Sequence, residues 1–138
     1  MLTKEHKVKI KYLDQYKYLN KDIDRKIKSL EDWRSKIYNV TGTISDMPRS
    51  GNRSNIIENG IASIDEIEET ITNDLNELIE LREEIEGKIE NVDDLKLKEI
   101  LKSRYLDFKT WEEIAYRNHC SWRHVYRMHE NALDKITI

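Results

Sequence analysis

The sequence predicts an all-α protein: two long heptad-patterned helices forming an antiparallel coiled-coil scaffold, followed by a C-terminal three-helix helix-turn-helix head. Three observations predict it. Apolar residues recur every seven positions over two long stretches, only one proline and four glycines interrupt 138 residues, and the last third holds two capped helix starts separated by a short break. Hydrophobic residues make up 38% and charged residues 37%, a balance that suits long solvated helices better than a thick core.

The first helix follows from Tyr16, Ile23, Leu30 and Ile37 at seven-residue steps, with Leu13, Leu19, Ile27 and Trp33 filling the adjacent stripe. No glycine or proline breaks residues 4–38. The second register runs through Ile64, Ile71, Leu78, Ile85 and Val92, with Ile57, Ile61, Ile67, Leu75, Leu81 and Ile89 beside it. Each helix would be about 50 Å long at about 1.5 Å per residue, and neither can bury its stripe alone. Residues 1–40 carry 11 Lys/Arg against 6 Asp/Glu, whereas residues 57–94 carry 2 against 14. Opposite charge therefore favours pairing of the two helices with each other, either as an intramolecular hairpin or across a dimer.

Between them, residues 39–56 hold Gly42, Pro48 and Gly51 among Ser, Asn and Thr, the composition of a loop. Its default role is a solvated connector; Arg49 and Arg53 offer phosphate contacts as the alternative. Gly87 lies inside the second helix, where it costs on the order of 1 kcal/mol relative to Ala. It marks either a close helix contact, a hinge or a tolerated weak point.

The scaffold thus occupies residues 1–92, including the 39–56 loop, and the head residues 93–138. Asp93 and Asp94 suit the start of a third helix, whose inner face is Leu97, Ile100, Leu101 and Tyr105. After a connection at 106–109, Thr110 caps a short helix and Glu113 completes a capping box. Trp111, Ile114 and Ala115 share one face of it, and Ala115 is small enough for two helices to cross closely. Ser121 caps the last helix, whose apolar stripe is Val125, Met128, Ala132, Leu133 and Ile136. The intervening turn contains Asn118 where such turns carry an apolar residue, and His119 where many carry a left-handed glycine. Cys120 at this turn is expected to be a buried structural thiol.

Several function classes are set aside. There is no apolar run long enough to span a membrane and no secretory signal, so the expected location is the cytoplasm. One cysteine excludes an internal disulfide framework. His119, Cys120, His124 and His129 are clustered in sequence, but five residues separate the last two, placing them about 140° apart around a helix; no metal is expected. Glutamate pairs such as Glu68-Glu69 belong to the solvated face of a heptad helix. No phosphate-binding glycine loop, nucleophile elbow or zinc-protease motif is present, so neither an enzyme nor a cofactor is expected.

What remains is a basic helix end. Residues 95–138 hold 9 Lys/Arg against 6 Asp/Glu, and Trp122, Arg123, His124, Tyr126 and Arg127 gather near the start of the last helix. This composition suits a helix that reads the major groove of double-stranded DNA. Arg123 and Arg127 are each candidates for bidentate hydrogen bonds to guanine, worth about 1–3 kcal/mol of discrimination per contact, and at least one of the two is expected to contact only phosphate. Trp122 would stack on thymine methyls or sugar, or else pack against Lys98 or Lys102. Tyr126, Lys109, Arg117 and His129 are backbone-contact candidates, the alternative being solvated surface groups. The helix start at Ser121 offers N–H groups to a phosphate.

Arg104-Tyr105, Trp111-Glu112-Glu113-Ile114-Ala115, Ser121 and Ala132-Leu133 together resemble the fourth region of bacterial sigma factors, over about 35 residues. Adding Ser45-Asp46-Met47-Pro48, the acidic helix, Val125-Tyr126-Arg127 and His129, residues 40–136 are similar to phage late-gene transcription regulators of the RinA and ArpU kind. The resemblance implies a sequence-specific DNA binder, an activator of phage late genes, acting in the bacterial host near the nucleoid and touching host RNA polymerase; a homodimer is expected separately, because helix-turn-helix proteins commonly gain affinity by engaging two half-sites. The alternatives are a phage small terminase subunit that recognises a packaging site, and a coiled-coil module that contacts RNA polymerase.

Overall fold

The computed structural model describes residues 2–42 and 51–138, without the side chains of 41, 42 and 51–53. Its described residues form five helices: α1 (Lys4–Gly42), α2 (Gly51–Glu90), α3 (Leu95–Tyr105), α4 (Trp111–Arg117) and α5 (Trp122–Lys135). The all-α expectation holds. The loop expected over 39–56 is shorter than its composition suggested, because α1 runs to Gly42 and α2 begins at Gly51. Arg49 and the Ser45–Pro48 motif lie outside the described residues, as does the side chain of Arg53.

The chain divides into two compact units. One comprises Asn20–Glu77. Within it, α1 and α2 run antiparallel: Ile37 lies against Gly60, Arg34 pairs with Glu68, and Lys26 pairs with Asp74. Ile23, Leu30 and Ile71 are buried along the seam, at the heptad positions read from the sequence. A Cβ on Gly60 would stand 2.8 Å from Ile37 Cδ1, so the glycine permits close approach of the two helices. The Arg34–Glu68 pair is about half exposed, and such pairs contribute at most about 1 kcal/mol. Their role is to select the basic-to-acidic match and its register.

The other unit comprises Met1–Leu19 and Leu78–Ile138. The sequence had placed the boundary of the head at residue 93; instead α3, α4 and α5 share one core with the start of α1 and the end of α2. The reason is area. Three short helices cannot enclose Ile100, Leu101, Ile114, Val125 and Leu133 by themselves, and Leu13, Tyr16, Ile85, Ile89 and Val92 complete the shell. Arg82 donates to the Tyr16 hydroxyl at 2.9 Å, and Phe108 stacks on the Tyr16 ring at 5.4 Å. Glu90 accepts from Lys98 and Lys102, whose ammonium groups, Lys102 foremost, hold its carboxyl below the ordinary carboxylate range. Gly87 is exposed, with nothing within 4 Å of an added Cβ, so it marks no close contact.

Each short helix starts where its cap residue dictates. The Asp94 carboxylate accepts from the N–H groups of Lys96 (2.9 Å) and Leu97 (3.2 Å). Thr110 accepts from the Glu113 N–H at 3.2 Å, and Ser121 from the His124 N–H at 3.2 Å. The Glu113 carboxylate takes the Thr110 hydroxyl at 3.3 Å, in place of the backbone N–H that a full capping box uses.

Candidate nucleic-acid interface

The geometry of the interface begins at the turn between α4 and α5. Asn118 ends α4 in the bridge region, at φ −90° and ψ 3°, and its side-chain amide donates to the Ile114 carbonyl at 2.7 Å. His119 takes the left-handed conformation, φ 53°, at the position where glycine is common. The Cys120 N–H then reaches back to the Ala115 carbonyl at 3.2 Å, closing the turn over the small side chain of Ala115. Cys120 itself is half-buried, packed at the edge of the core rather than within it.

From this turn α5 emerges with one face buried, through Val125, Met128, His129, Ala132 and Leu133. Its opposite face exposes Arg123 and Arg127, one turn apart. Among the described residues, no ion pair or hydrogen bond engages Arg117, Arg123 or Arg127. Three other arginines are committed: Arg34 to Glu68, Arg82 to Tyr16 and Glu86, and Arg104 to the Lys109 carbonyl at 3.0 Å while its guanidinium lies over the Trp111 ring at 4.4 Å; Arg25 on α1 is exposed and, among the described residues, unengaged like the α5 pair.

Trp122 and Tyr126 form a shoulder beside this face. Trp122 is 50% exposed and meets the Tyr126 ring edge-on at 4.5 Å, and Tyr126 in turn lies against Trp111 at 5.4 Å. The ring partner of Trp122 is thus Tyr126, while the ammonium groups of Lys98 and Lys102 pair with Glu90. Tyr126 is consequently half-buried, with only part of its ring available to a backbone. His124 and Ser121 are exposed; the Ser121 hydroxyl is spent on the cap, while the first N–H groups of α5 have no carbonyl a turn before them. Lys109 is half-buried and 3.9 Å from Glu113.

His129 does not belong to this surface. It is 2% exposed, its Nε2 is 2.6 Å from the Tyr105 hydroxyl, and its ring lies tilted against Trp111, the centroids 4.5 Å apart. Burial, then the nearby Arg104 and His6, push its pKa down to about 4, so the ring is neutral near pH 7. A neutral interior imidazole cannot bind phosphate; the expectation fails because residue 129 falls on the buried stripe between Val125 and Leu133.

The residue pattern did not flag Asn131. It is exposed, four residues beyond Arg127 on the same helix, and borders a groove of about 370 Å³ together with His124, Met128, Lys96 and Lys135. The available signal was its spacing from the two arginines. Near it, the Asp134 carboxylate accepts from His6 Nε2 at 2.5 Å, and Lys9 donates to the Leu133 carbonyl at 2.7 Å. The Thr3 N–H donates to His6 Nδ1 at 3.2 Å, which fixes the ring hydrogen on Nε2.

Among the described residues, no cluster of three or more His, Cys, Asp or Glu side chains is placed to hold a metal ion, and no helix is long and apolar enough to cross a membrane. A family model described as "Protein of unknown function (DUF1492)" matches residues 50–137. The chain belongs to the DUF1492 family. The DUF1492 match begins one residue before α2 and takes in all of α3, α4 and α5, hence the whole candidate interface, while α1 lies outside it. No curated protein and no solved structure shows significant similarity to the chain.

Proposed function

We propose that this DUF1492 protein is a sequence-specific binder of double-stranded DNA that regulates transcription, with α5 as its reading helix. The observation that carries the reading is the pair Arg123 and Arg127: two guanidiniums one turn apart on the exposed face of the second helix of a helix-turn-helix, neither of them engaged by the chain. Arg34 and Arg104, by contrast, each find a partner within the fold. Unengaged guanidiniums in parallel suit the paired acceptors of guanine in a major groove. The exposed Arg117 and the half-buried Lys109 would neutralise phosphates, and the free N–H groups at the start of α5 would take another.

The resemblance to phage late-gene regulators supplies the biological setting, activation of late genes with host RNA polymerase as the protein partner; a homodimer on two half-sites follows the common habit of helix-turn-helix proteins. The test is selection of bound fragments from the phage genome by the purified full chain. Enrichment upstream of late genes is the expected result. Enrichment at a packaging site would transfer the interface to a small terminase subunit, and absence of any affinity at low salt would make α5 a protein-binding surface instead.

A further inference from the structure

We infer that Asn131 is a specificity-determining residue that reads adenine, extending the row Arg123, Arg127 by one more turn; this rests on the DNA-binding reading above. The three residues are spaced four apart on α5. Each step climbs about 6 Å and turns about 40° around the axis, so the row is a shallow spiral about 12 Å long. That length matches three to four base pairs at about 3.4 Å each. The row therefore samples successive base pairs along one groove.

Asn131 has no evident task within the protein. It is exposed, its amide makes no hydrogen bond among the described residues, and α5 continues past it to Lys135, so it caps nothing. Asparagine is also one of the less favourable residues inside a helix. A locally unfavourable residue without a compensating contact points to a role outside the fold. Its amide carries one acceptor and two donors, the pattern that pairs bidentately with adenine N7 and N6.

The surroundings allow duplex DNA to come close at this end of the helix. Lys96 and Lys135 border the same groove as Asn131, and neither is paired among the described residues, in contrast to Lys98 and Lys102. Two carboxylates border it as well, Asp94, which caps α3, and Asp134, which accepts from His6, so two cations stand against two anions there. Lys9 covers the Leu133 carbonyl, which moderates the negative end of the helix dipole.

The experiment is selection from randomised duplexes by the full chain and its Asn131→Ala and Arg127→Ala variants, followed by affinity measurements on the selected site and on single-base changes. The wild-type chain should select an adenine next to the guanines read by the arginines. Asn131→Ala should lose about 5- to 100-fold of discrimination at that adenine alone, with the rest of the site still preferred. Its thermal stability should be unchanged or higher, since alanine is the better helix former. An unchanged preference in Asn131→Ala, together with lost discrimination in Arg127→Ala, overturns the role of Asn131 and leaves α5 as the reading helix. Selection of no sequence by the wild-type chain overturns both.

Discussion

In the two-helix unit Asn20–Glu77, two cations of α1 meet anions of α2, Lys26 reaching Asp74 and Arg34 reaching Glu68, while Lys21, Arg25 and Lys28 reach none among the described residues. In the head, Arg117, Arg123 and Arg127 reach no anion among the described residues, although Glu112 and Glu113 lie on the same pair of helices. The two pairs of the first region bear on which helices pair and in what register. The three arginines of the second take no such part. The contrast between paired and unpaired cations can be pressed experimentally from both sides.

The largest effect should come from removing unpaired cations of α5. The double variant Arg123→Ala/Arg127→Ala should lose roughly 30-fold or more of its affinity for the selected site, at about 1–3 kcal/mol per guanine contact, with an unchanged thermal midpoint. A comparable loss of stability would instead place the two arginines among the cations that serve the fold.

The next effect concerns the one predicted interface residue that the fold consumes. His129 titrates near 6.5 in the unfolded chain but at about 4 in the folded one, because burial disfavours its charged form. The folded value is the lower, so between these limits the unfolded state binds more protons. Stability should therefore decline as pH falls from about 6.5 toward 4, and denaturation of His129→Gln across that window should show a shallower decline. An identical slope in the variant would sink the interior assignment of this group.

Smaller still, Lys109→Ala should weaken binding to all sequences alike and reduce the salt slope by about one phosphate contact. Measured in the same titration, Arg34→Ala should leave DNA affinity unchanged and cost less than about 1 kcal/mol of stability. The glycines give the finest comparison. Gly87→Ala should stabilise by about 0.5–1 kcal/mol in a denaturant melt, as nothing crowds it. Gly60→Ala should fall short of that gain, because its new methyl must displace Ile37.

Much of this was legible in the residues. Heptad spacing located α1 and α2, opposite charge anticipated that they would pair, and Asp94, Thr110 and Ser121 marked three helix starts by chemistry that acts within one turn. His119 accepted the left-handed turn, which an unbranched polar residue tolerates. Where the residues misled, the deciding contacts were distant in sequence. His129 looked like a surface cation because histidine is polar, yet the hydroxyl that receives it comes from Tyr105 on another helix. Glycine proved informative at 60 and silent at 87, a difference set by whether Ile37 lies opposite. The head boundary failed for the same reason, since no local pattern announces that Leu13 and Tyr16 close a core over a hundred residues away.

That core has a consequence for how the protein can be cut and recombined. The helix-turn-helix looks like a portable cassette, and the DUF1492 match, starting at residue 50, invites a cut there. Yet Leu13 belongs to its interior, Tyr16 stacks on Phe108, and Lys9 and His6 clasp the far end of α5. A fragment lacking the first twenty residues would carry an open wound along α3 and α5. Grafts and truncations of this head have to bring the beginning of the chain with them.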